Sequence, residues 1–243
     1  MPSLPDVVLL RRERPPDRYV EAFADAQKTA TCVPVLVFRF PHADALKQCL
    51  ATPDAYDALV ATSPRAVAAV KRVFEADSAL HDAWRGRRAV AVGPATAEAW
   101  QALGLRPTGQ TSGSAEALVN VVAAHAPQKP LLFLSGNRRR DTLPEGLATR
   151  GIAFDEQEAY VTCTRTDLAL PGPATPPRWL VFFSPSGLEA VQHSGADLTA
   201  YRIAAIGPTT AGALTDASVT VDAVASTPSP SGLVTALQAA DPG

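Results

Sequence analysis

One sequence pattern occurs twice in the chain, as RAVAVGPATAEAW at residues 88–100 and as RIAAIGPTTAGAL at residues 202–214. Each copy reads as a short apolar strand, a Gly-Pro pair, a threonine and an alanine-rich helix. Gly93 of the first copy matches Gly207 of the second at an offset of 207 − 93 = 114 residues. Agreement at one offset indicates an internal duplication of a strand–helix unit.

The junction between strand and helix has the composition of an anion site. Glycine allows a sharp turn off the strand, proline suits the first helical position, and threonine can cap the helix or contact a ligand. The free N–H groups of a helix start attract carboxylates and phosphates. Thr96, Thr209 and Thr210 are therefore candidate contacts. Simple helix capping is the alternative for one copy taken alone, and the second copy weakens it.

Composition and charge restrict the class of protein. The 243 residues are 47% hydrophobic and 19% charged, as in ordinary globular proteins. The formal net charge of −2 argues against broad nucleic-acid binding. No apolar run approaches the roughly 20 residues that span a bilayer, and residues 1–10 lack a signal-peptide core, so we expect a cytoplasmic protein without a membrane partner.

The metal-binding and nucleotide-binding residue types are not clustered. Cys32, Cys49 and Cys163 form no CxxC pair, and the four histidines form no HExxH motif, so we expect no metal site. Three scattered thiols fit a reducing compartment. Neither a P-loop nor a GxGxxG after a strand is present, so a nucleotide is not indicated.

The rest of the chain repeats the same alternation. A Ser-Pro pair opens a helix after a short apolar strand at Ser63 and again at Ser184, and the strand at 131–134 leads into Gly136 and Asn137. Strands that alternate with helices predict parallel sheets covered on both faces, which is an α/β fold. Ligands of such sheets bind at the carboxyl ends of the strands, where all of these turns lie.

The two halves differ in one segment, which predicts the domain layout. Leu131–Thr162 reads as strand, arginine cluster, Asp, helix and extended run, and nothing similar follows the last helix of the second half. Val7–Phe40 has the same order at the N-terminus. We therefore expect a discontinuous domain, 1–37 plus 163–243, with 38–162 inserted as the second domain. The extended runs of the two segments would cross between the domains, so that two sets of N–H-rich turns face a shared cleft.

These turns carry hydroxyls, glycines and arginines, hardly any carboxylates and no histidine. That inventory binds anions without offering an evident nucleophile or base. A ligand with several carboxylates fits it better than a nucleotide.

Several stretches are similar to the uroporphyrinogen-III synthase family, in particular its animal and fungal branch. They are spread over nearly the whole chain in the family's order. They are ATSPRAV (61–67), VGPATA (92–97), LLFLSGNRRRDTLP (131–144), EAYVT (158–162), FFSPSGL (182–188), AAIGPTTA (204–211) and TPSPSG (227–232).

The resemblance implies two flavodoxin-like doubly wound domains joined by a two-stranded β ladder. It implies a lyase of tetrapyrrole (haem) biosynthesis that acts on hydroxymethylbilane, a linear tetrapyrrole with eight carboxylates. The substrate loses water and closes into uroporphyrinogen III with ring D inverted, through an azafulvene and a spiro intermediate. The resemblance implies neither a metal nor an organic cofactor, and we expect a monomer.

The resemblance also implies site residues. Tyr160 is the candidate proton donor, with a packed tyrosine on a β connector as the alternative. For the serine and threonine candidates, the alternative role is helix capping alone. For the arginine candidates, the alternative is a solvated surface position, and we favour this alternative for Arg138–Arg140. The candidate substrate contacts are Ser63, Arg65, Thr96, Gly136, Asn137, Ser184, Ser186, Arg202, Thr209 and Thr210.

Two other functions fit the same pattern. A two-lobed binding protein for a polycarboxylate would use the same turns, although the lack of a signal peptide counts against it. A synthase relative without activity could serve as a regulatory module, but such a module is more often fused to a DNA-binding domain.

Overall fold

The computed structural model describes residues 5–172 and 178–241, in which strands and helices alternate along the chain. The sequence predicts a loop at the proline-rich segment 168–177, of which residues 173–177 lie outside the described residues. The elements are β1 (Val7–Leu10), α1 (Arg18–Asp25), β2 (Ala30–Cys32), β3 (Leu36–Arg39), α2 (Ala43–Leu50), β4 (Leu59–Ala61), α3 (Pro64–Ala76), α4 (Ser78–Trp84), β5 (Arg88–Ala91), α5 (Pro94–Ala102), β6 (Arg106–Thr108), α6 (Ala115–Ala124), β7 (Leu131–Gly136), α7 (Thr142–Thr149), β8 (Phe154–Thr164), β9 (Arg178–Phe182), α8 (Pro185–Ser194), β10 (Tyr201–Ala205), α9 (Pro208–Asp216), β11 (Ala223–Val224) and α10 (Pro230–Ala240).

The chain divides into two compact units. Unit 1 comprises Met1–Val37 and Cys163–Gly243, and unit 2 comprises Phe38–Thr162. The sheet of unit 1 has the order β11-β10-β9-β1-β2, and each of its strand pairs is parallel. Counted from β1, this is the 2-1-3-4-5 order of flavodoxin-like folds.

Unit 2 has the same sheet with a different starting point. Its parallel strands follow the order β8-β7-β4-β5-β6, so β7 and β8 occupy the places that β1 and β2 hold in unit 1. Strand β3 is added beside β8, and the chain passes from one unit to the other within these two strands. The predicted α/β fold with parallel sheets is confirmed.

The central strands are buried on both faces, which explains their unbroken apolar sequences. All four residues of β1 are at most 1% exposed. Val8 and Leu10 belong to one apolar cluster, while Val7 and Leu9 belong to a second cluster on the opposite face. Burying a side chain of this size contributes about 1.5–3 kcal/mol each, so the two helical layers are held on the sheet mainly by these contacts.

The helix starts follow the predicted chemistry. The side chain of Ser63 accepts a hydrogen bond from the N–H of Arg65 (3.2 Å), and Pro64 occupies the first helical turn of α3. Gly93, which precedes α5, has φ +79°, a conformation that glycine adopts without strain. Helices α5 and α9 begin 208 − 94 = 114 residues apart, at the offset of the duplication.

The extended run at residues 33–40 forms a strand only from Leu36 to Arg39, as β3. Strand β2 ends at Cys32, which leaves a gap before β3. Pro34 stands in this gap and has no N–H to donate to a ladder, so the strand cannot continue through it. The two pieces belong to different sheets.

Asp17 fixes the turn that follows β1. Its carboxylate is 6% exposed and accepts hydrogen bonds from the N–H groups of Arg14 (2.9 Å) and Tyr19 (3.1 Å) and from the Arg11 guanidinium (2.7 Å). Burial alone raises the pKa of Asp17, but these hydrogen bonds and the charge of Arg11 outweigh burial and lower the pKa below its ordinary value.

Because this pKa is lowered on folding, Asp17 stabilises unit 1 at pH values above its unfolded pKa and loses this effect as the pH falls. We expect Asp17→Asn to reduce the free energy of unfolding by about 1–3 kcal/mol at pH 7 and by much less near pH 2. Urea unfolding at several pH values measures this difference. Asp25→Asn, an exposed position on α1, is the control, and a pH-independent difference for Asp17→Asn would contradict the assignment.

Candidate functional site

The predicted turns lie at the carboxyl ends of the parallel strands in each unit. In unit 2 this edge carries Ser63 and Arg65 after β4, Thr96 after β5, and Gly136 and Asn137 at the end of β7, while Tyr160 lies on β8. We call these residues the unit 2 edge. In unit 1 the corresponding edge carries Ser184, Ser186, Thr209 and Thr210 after β9 and β10, and we call it the unit 1 edge.

Tyr160 lies directly against Gly136. The two residues are partners in the β7–β8 ladder, at a register irregularity between Ser135 and Gly136. A Cβ at Gly136 would lie 2.4 Å from Tyr160 Cζ, a distance that real Cβ atoms essentially never show. The carbonyl of Tyr160 also accepts the N–H of Asn137 (3.3 Å). The ring therefore has a defined place that only glycine at position 136 leaves open.

Asn137 is exposed, yet its side chain is engaged with the backbone. Its Oδ1 accepts the N–H of Thr162 (2.8 Å), and its Nδ2 donates to the carbonyl of the same residue (3.3 Å). The amide thus extends the ladder between β7 and β8 past its last regular pair. This geometry supports a structural role for Asn137. By fixing Thr162, it helps to hold Tyr160, which lies two residues before Thr162 on β8.

Arg65 stands in the first turn of α3 and packs on an aromatic ring. Its Cζ lies 3.7 Å from the centroid of the Phe38 ring, within the range of a cation–π interaction. The centroid of Phe38 in turn lies 6.4 Å from that of Tyr160, at an interplanar angle of 65°. Arg65 and Tyr160 are therefore linked through Phe38 within unit 2.

The helix threonines divide into two groups. Thr96 and Thr210, at equivalent positions of the duplication, are 2% and 4% exposed, so their hydroxyls have almost no access to a ligand. Thr209 is exposed and can reach one. Burial thus favours packing over ligand contact for Thr96 and Thr210, while the N–H groups of the same helix starts remain suitable for an anion.

The two serines of the unit 1 edge are paired. Ser184 Oγ lies 2.7 Å from Ser186 Oγ, and Ser184 makes no side-chain cap to α8 although it occupies the N-cap position. Both side chains are partly exposed. This hydroxyl pair at a helix start offers donors to a carboxylate in addition to the backbone N–H groups.

Arg202, one of the candidate substrate contacts, lies outside both edges. It is the second residue of β10, at the amino end of a strand whose carboxyl end carries the Gly-Pro turn. Its guanidinium lies over the ring of Trp179 (4.2 Å), pairs with Asp241 and donates to the carbonyl of Ala240 (2.7 Å). It holds the end of α10 to the sheet.

We therefore expect Arg202→Ala to lower the free energy of unfolding by about 1–2 kcal/mol, since it removes charge-assisted hydrogen bonds and a packed ring contact. The KM for the substrate should stay unchanged. Denaturant unfolding and steady-state kinetics on the same preparation measure both quantities. A raised KM with unchanged stability would instead return Arg202 to the substrate contacts.

Within the arginine cluster Arg138–Arg140, the structure engages Arg139 in ion pairs. Its guanidinium forms ion pairs with Asp141 and Glu156. The hydrogen bond to Glu156, followed in size by the one to Asp141, raises the pKa of Arg139. A surface cavity of about 580 Å³ lies beside it, lined by Ser135, Gly136, Asn137, Arg139, Asp141, Glu156 and Glu158. With three carboxylates in its wall, this cavity is less suited to a polyanion than the helix starts.

Two side chains at these edges carry no sequence pattern that marks them as site residues. Phe38 lies in an apolar run, and its contact with the Arg65 guanidinium joins β3 to α3. Arg11, directly after β1, lies over the rings of both Tyr19 (4.9 Å) and Phe183 (5.3 Å). The basic run that follows the first strand was its only sequence signal.

Among residues 5–172 and 178–241, no group of three or more His, Cys, Asp or Glu side chains is placed to hold a metal ion. No helix in these same two ranges is both long and apolar enough to cross a membrane.

Comparison with known proteins gives consistent results. Residues 17–235 match the family model described as uroporphyrinogen-III synthase HemD. A uroporphyrinogen-III synthase of Schizosaccharomyces pombe is 27% identical over 97% of this chain and 96% of its own length. The Saccharomyces cerevisiae enzyme of the same name is 30% identical over 60% of this chain and 62% of its own length.

Solved structures support the fold. The crystal structure of uroporphyrinogen-III synthetase from Helicobacter pylori is similar with a TM-score of 0.61 at 18% identity, and covers 98% of this chain and 100% of its own. A mutant uroporphyrinogen III synthase from Thermus thermophilus gives a TM-score of 0.52 at 16% identity, covering 96% of this chain and 97% of its own.

Proposed function

The chain belongs to the uroporphyrinogen-III synthase family, and we propose from this premise that it cyclises hydroxymethylbilane to uroporphyrinogen III. The family model spans residues 17–235, and the S. pombe relative aligns over nearly its full length. This end-to-end match is the observation that carries the proposal. The enzyme is a lyase of haem biosynthesis, because the reaction eliminates water from the linear tetrapyrrole.

We propose that the two edges bind the carboxylates of the substrate. Helices α3, α5, α8 and α9 begin at the carboxyl ends of parallel strands. The free backbone N–H groups and the dipole at these helix starts favour a negatively charged group. Ser184, Ser186 and Thr209 add exposed or partly exposed hydroxyls, and Arg65 adds a charge. The other candidate substrate contacts of the two edges shape these turns and thereby place the N–H groups; they are Ser63, Thr96, Gly136, Asn137 and Thr210.

The proposed chemistry needs a proton donor and a fixed substrate geometry. Loss of the ring A hydroxyl as water leaves an azafulvene, and protonation of the leaving oxygen assists this step. We propose Tyr160 as the donor, because its ring is held against Gly136 at the unit 2 edge. Attack by the substituted carbon of ring D then gives the spiro intermediate, which fragments and closes again with ring D inverted.

Selecting this product requires orientation more than reactivity. Hydroxymethylbilane also closes without an enzyme, to the symmetrical isomer I. The protein has to hold the chain where attack through the substituted carbon is favoured, and orientation of this kind supplies several kcal/mol. Contacts to many carboxylates provide that orientation without a metal or an organic cofactor.

We further propose that the protein acts as a cytoplasmic monomer without nucleic-acid or membrane partners. The net charge of −2 supports the absence of a nucleic-acid partner. The three cysteines are free thiols, as suits a reducing compartment. Among the described residues, Val224 is the one large hydrophobic side chain that is exposed, which supports a monomer.

Growth of a bacterial strain that lacks its own uroporphyrinogen-III synthase tests the activity in a cell. We expect expression of this chain to restore growth without added haem and to shift the accumulated porphyrins from isomer I to isomer III. A binding or regulatory protein for a polycarboxylate would be expressed and folded but would restore neither. Detection of the folded protein in the extract separates that result from failed expression.

A further inference from the structure

The unit 1 edge consists of serines and threonines and contains no positive side chain, since Arg202 lies at the amino end of its strand. The turns that follow β2, β9, β10 and β11 are built of apolar residues, glycine, proline, serine and threonine, without a charged residue. A substrate with many carboxylates is bound better where cations stand among the hydroxyls. Among the described strand ends of this edge, arginines follow β1 alone.

The segment that joins β1 to α1, residues 11–17, is called the basic turn here. It carries three arginines against two carboxylates, and Arg18 follows directly as the first residue of α1. The segment is therefore positive in a chain whose formal net charge is −2. Its arginines are Arg11, Arg12 and Arg14, and its carboxylates are Glu13 and Asp17.

Contacts of Asp17 and Arg11 order the basic turn. The buried Asp17 carboxylate accepts the N–H of Arg14 (2.9 Å) and pairs with the Arg11 guanidinium (2.7 Å). The same guanidinium lies over the rings of Tyr19 and Phe183, which join it to α1 and to the end of β9. Arg11 is therefore used to fix the turn, and the backbone between Arg11 and Asp17 is tied at both of its ends.

The basic turn lies beside the hydroxyl pair of the unit 1 edge. Strands β1 and β9 are parallel neighbours whose last residues, Leu10 and Phe182, are ladder partners. The segments that follow the two strands therefore leave the sheet side by side. The one after β9 leads to Ser184, whose Oγ lies 2.7 Å from that of Ser186. Cations and hydroxyl donors thus follow adjacent strand ends.

Arg12 and Arg14 present their charges to solvent. Both residues are exposed, and within the part of the chain that the structure describes neither guanidinium forms a hydrogen bond or an ion pair. The arginine cluster that follows β7 in unit 2 differs, because Arg139 is paired there with Asp141 and Glu156. The two arginines of the basic turn therefore keep a charge that a ligand can use.

We propose that Arg12 and Arg14 attract the linear tetrapyrrole to the unit 1 edge and bind its carboxylates there. The planar fork of a guanidinium matches the two oxygens of a carboxylate. Because Asp17 already orders the backbone of the turn, binding has to order only the two side chains. Surface cations also raise the association rate of an anionic ligand, and salt weakens this effect. The inference rests on the proposed function.

The salt dependence of kcat/KM for isomer III formation tests the proposal. We expect Arg12→Gln combined with Arg14→Gln to lower kcat/KM about tenfold at low salt, through KM, with kcat changed by less than about twofold. In about 1 M salt, where the Debye length is about 3 Å, the difference from the wild type should shrink to about twofold. Arg12→Lys combined with Arg14→Lys keeps both charges and should retain most of kcat/KM.

A matched control removes the same charge elsewhere. Arg85 and Arg106 are exposed and lie before β5 and at the first position of β6, at the amino end of the unit 2 sheet. Arg85→Gln combined with Arg106→Gln should leave kcat/KM unchanged at both salt concentrations. All variants are assayed below their unfolding temperatures.

Two results would overturn the role of the basic turn while leaving the synthase function intact. One is an equal kcat/KM for the double variant of the basic turn and the control variant. The other is a loss in the Arg12→Gln, Arg14→Gln protein that is as large in 1 M salt as at low salt. A wild-type protein that yields only isomer I would instead refute the proposed function, and this role with it.

Discussion

Replacing Tyr160 with phenylalanine is expected to lower kcat for isomer III about 100-fold, with little change in KM. The substitution removes the phenol O–H proposed to protonate the leaving hydroxyl, and general acid catalysis of this kind contributes typically 10²- to 10⁴-fold. The ring itself, which contacts Gly136 and Phe38, is retained. Rapid mixing with fresh hydroxymethylbilane, followed by oxidation and separation of the porphyrin isomers, measures the rate.

Tyr56→Phe is the matched control for this variant. Tyr56 is a partly buried tyrosine of the same unit. Its burial and, to a lesser extent, its hydrogen bond to Asp155 raise the pKa of Tyr56 to about 12. Removing its hydroxyl should affect stability slightly and leave kcat unchanged. If Tyr160→Phe retained the wild-type kcat, Tyr160 would be a packed residue on the β8 connector, and the proton donor would lie elsewhere.

Gly136→Ala is expected to reduce kcat/KM about 100-fold although it adds only one methyl group. The new Cβ would lie 2.4 Å from Tyr160 Cζ and 2.8 Å from both Cε atoms, so the ring must move. A displacement of about 1 Å in a catalytic group can cost 10²-fold in rate. Overpacking of this kind also lowers the free energy of unfolding by about 1–3 kcal/mol.

Two further variants test this explanation. Gly212→Ala, on α9 with nothing within 4 Å of the added Cβ, should retain activity and gain about 0.5–1 kcal/mol of stability. In a Tyr160→Ala protein, which itself loses packing and activity, the added Gly136→Ala should cause no further loss of stability, because the clash is gone. A Gly136→Ala protein with normal kinetics would show that the position of the Tyr160 ring does not matter.

Much of the fold was predictable because its signals are local. The Ser-Pro and Gly-Pro junctions specify helix starts by their own backbone chemistry, and α3, α5, α8 and α9 begin there. The apolar runs of the central strands reflect burial on both faces. The order of elements in the two halves of the sequence also predicted that the N-terminal strand unit of one sheet corresponds to the C-terminal strand unit of the other.

Other elements had no clear local signal. Helices α2 and α4 lack a proline start, and the hydrogen bond of Trp84 Nε1 to the carbonyl of Leu50 (2.8 Å) ties them together from distant positions. The apolar residues at 219–224 indicate a strand, but β11 covers only Ala223–Val224. Ahead of its regular ladder, Asp222 Oδ2 accepts the N–H of Ile203 (2.7 Å). Such tertiary contacts are invisible in a window of sequence.

The candidate site shows the same division. Residues that follow strands were placed at the carboxyl edge by topology alone, since parallel strands end together. Arg202 is the second residue of β10, so the same rule puts it at the amino end of that strand, opposite the carboxyl edge. The contacts of Tyr160 with Gly136 and of Phe38 with Arg65 required the pairing of β3, β7 and β8, which no local pattern specifies.

The isomer composition of the product distinguishes a synthase from a protein that only binds the linear tetrapyrrole. Purified protein is mixed with freshly prepared hydroxymethylbilane without added metal or cofactor, and the oxidised porphyrins are separated into types I and III. The uroporphyrinogen-III synthase function predicts a predominance of type III that grows with enzyme concentration. Formation of type I alone, at the uncatalysed rate, would contradict it.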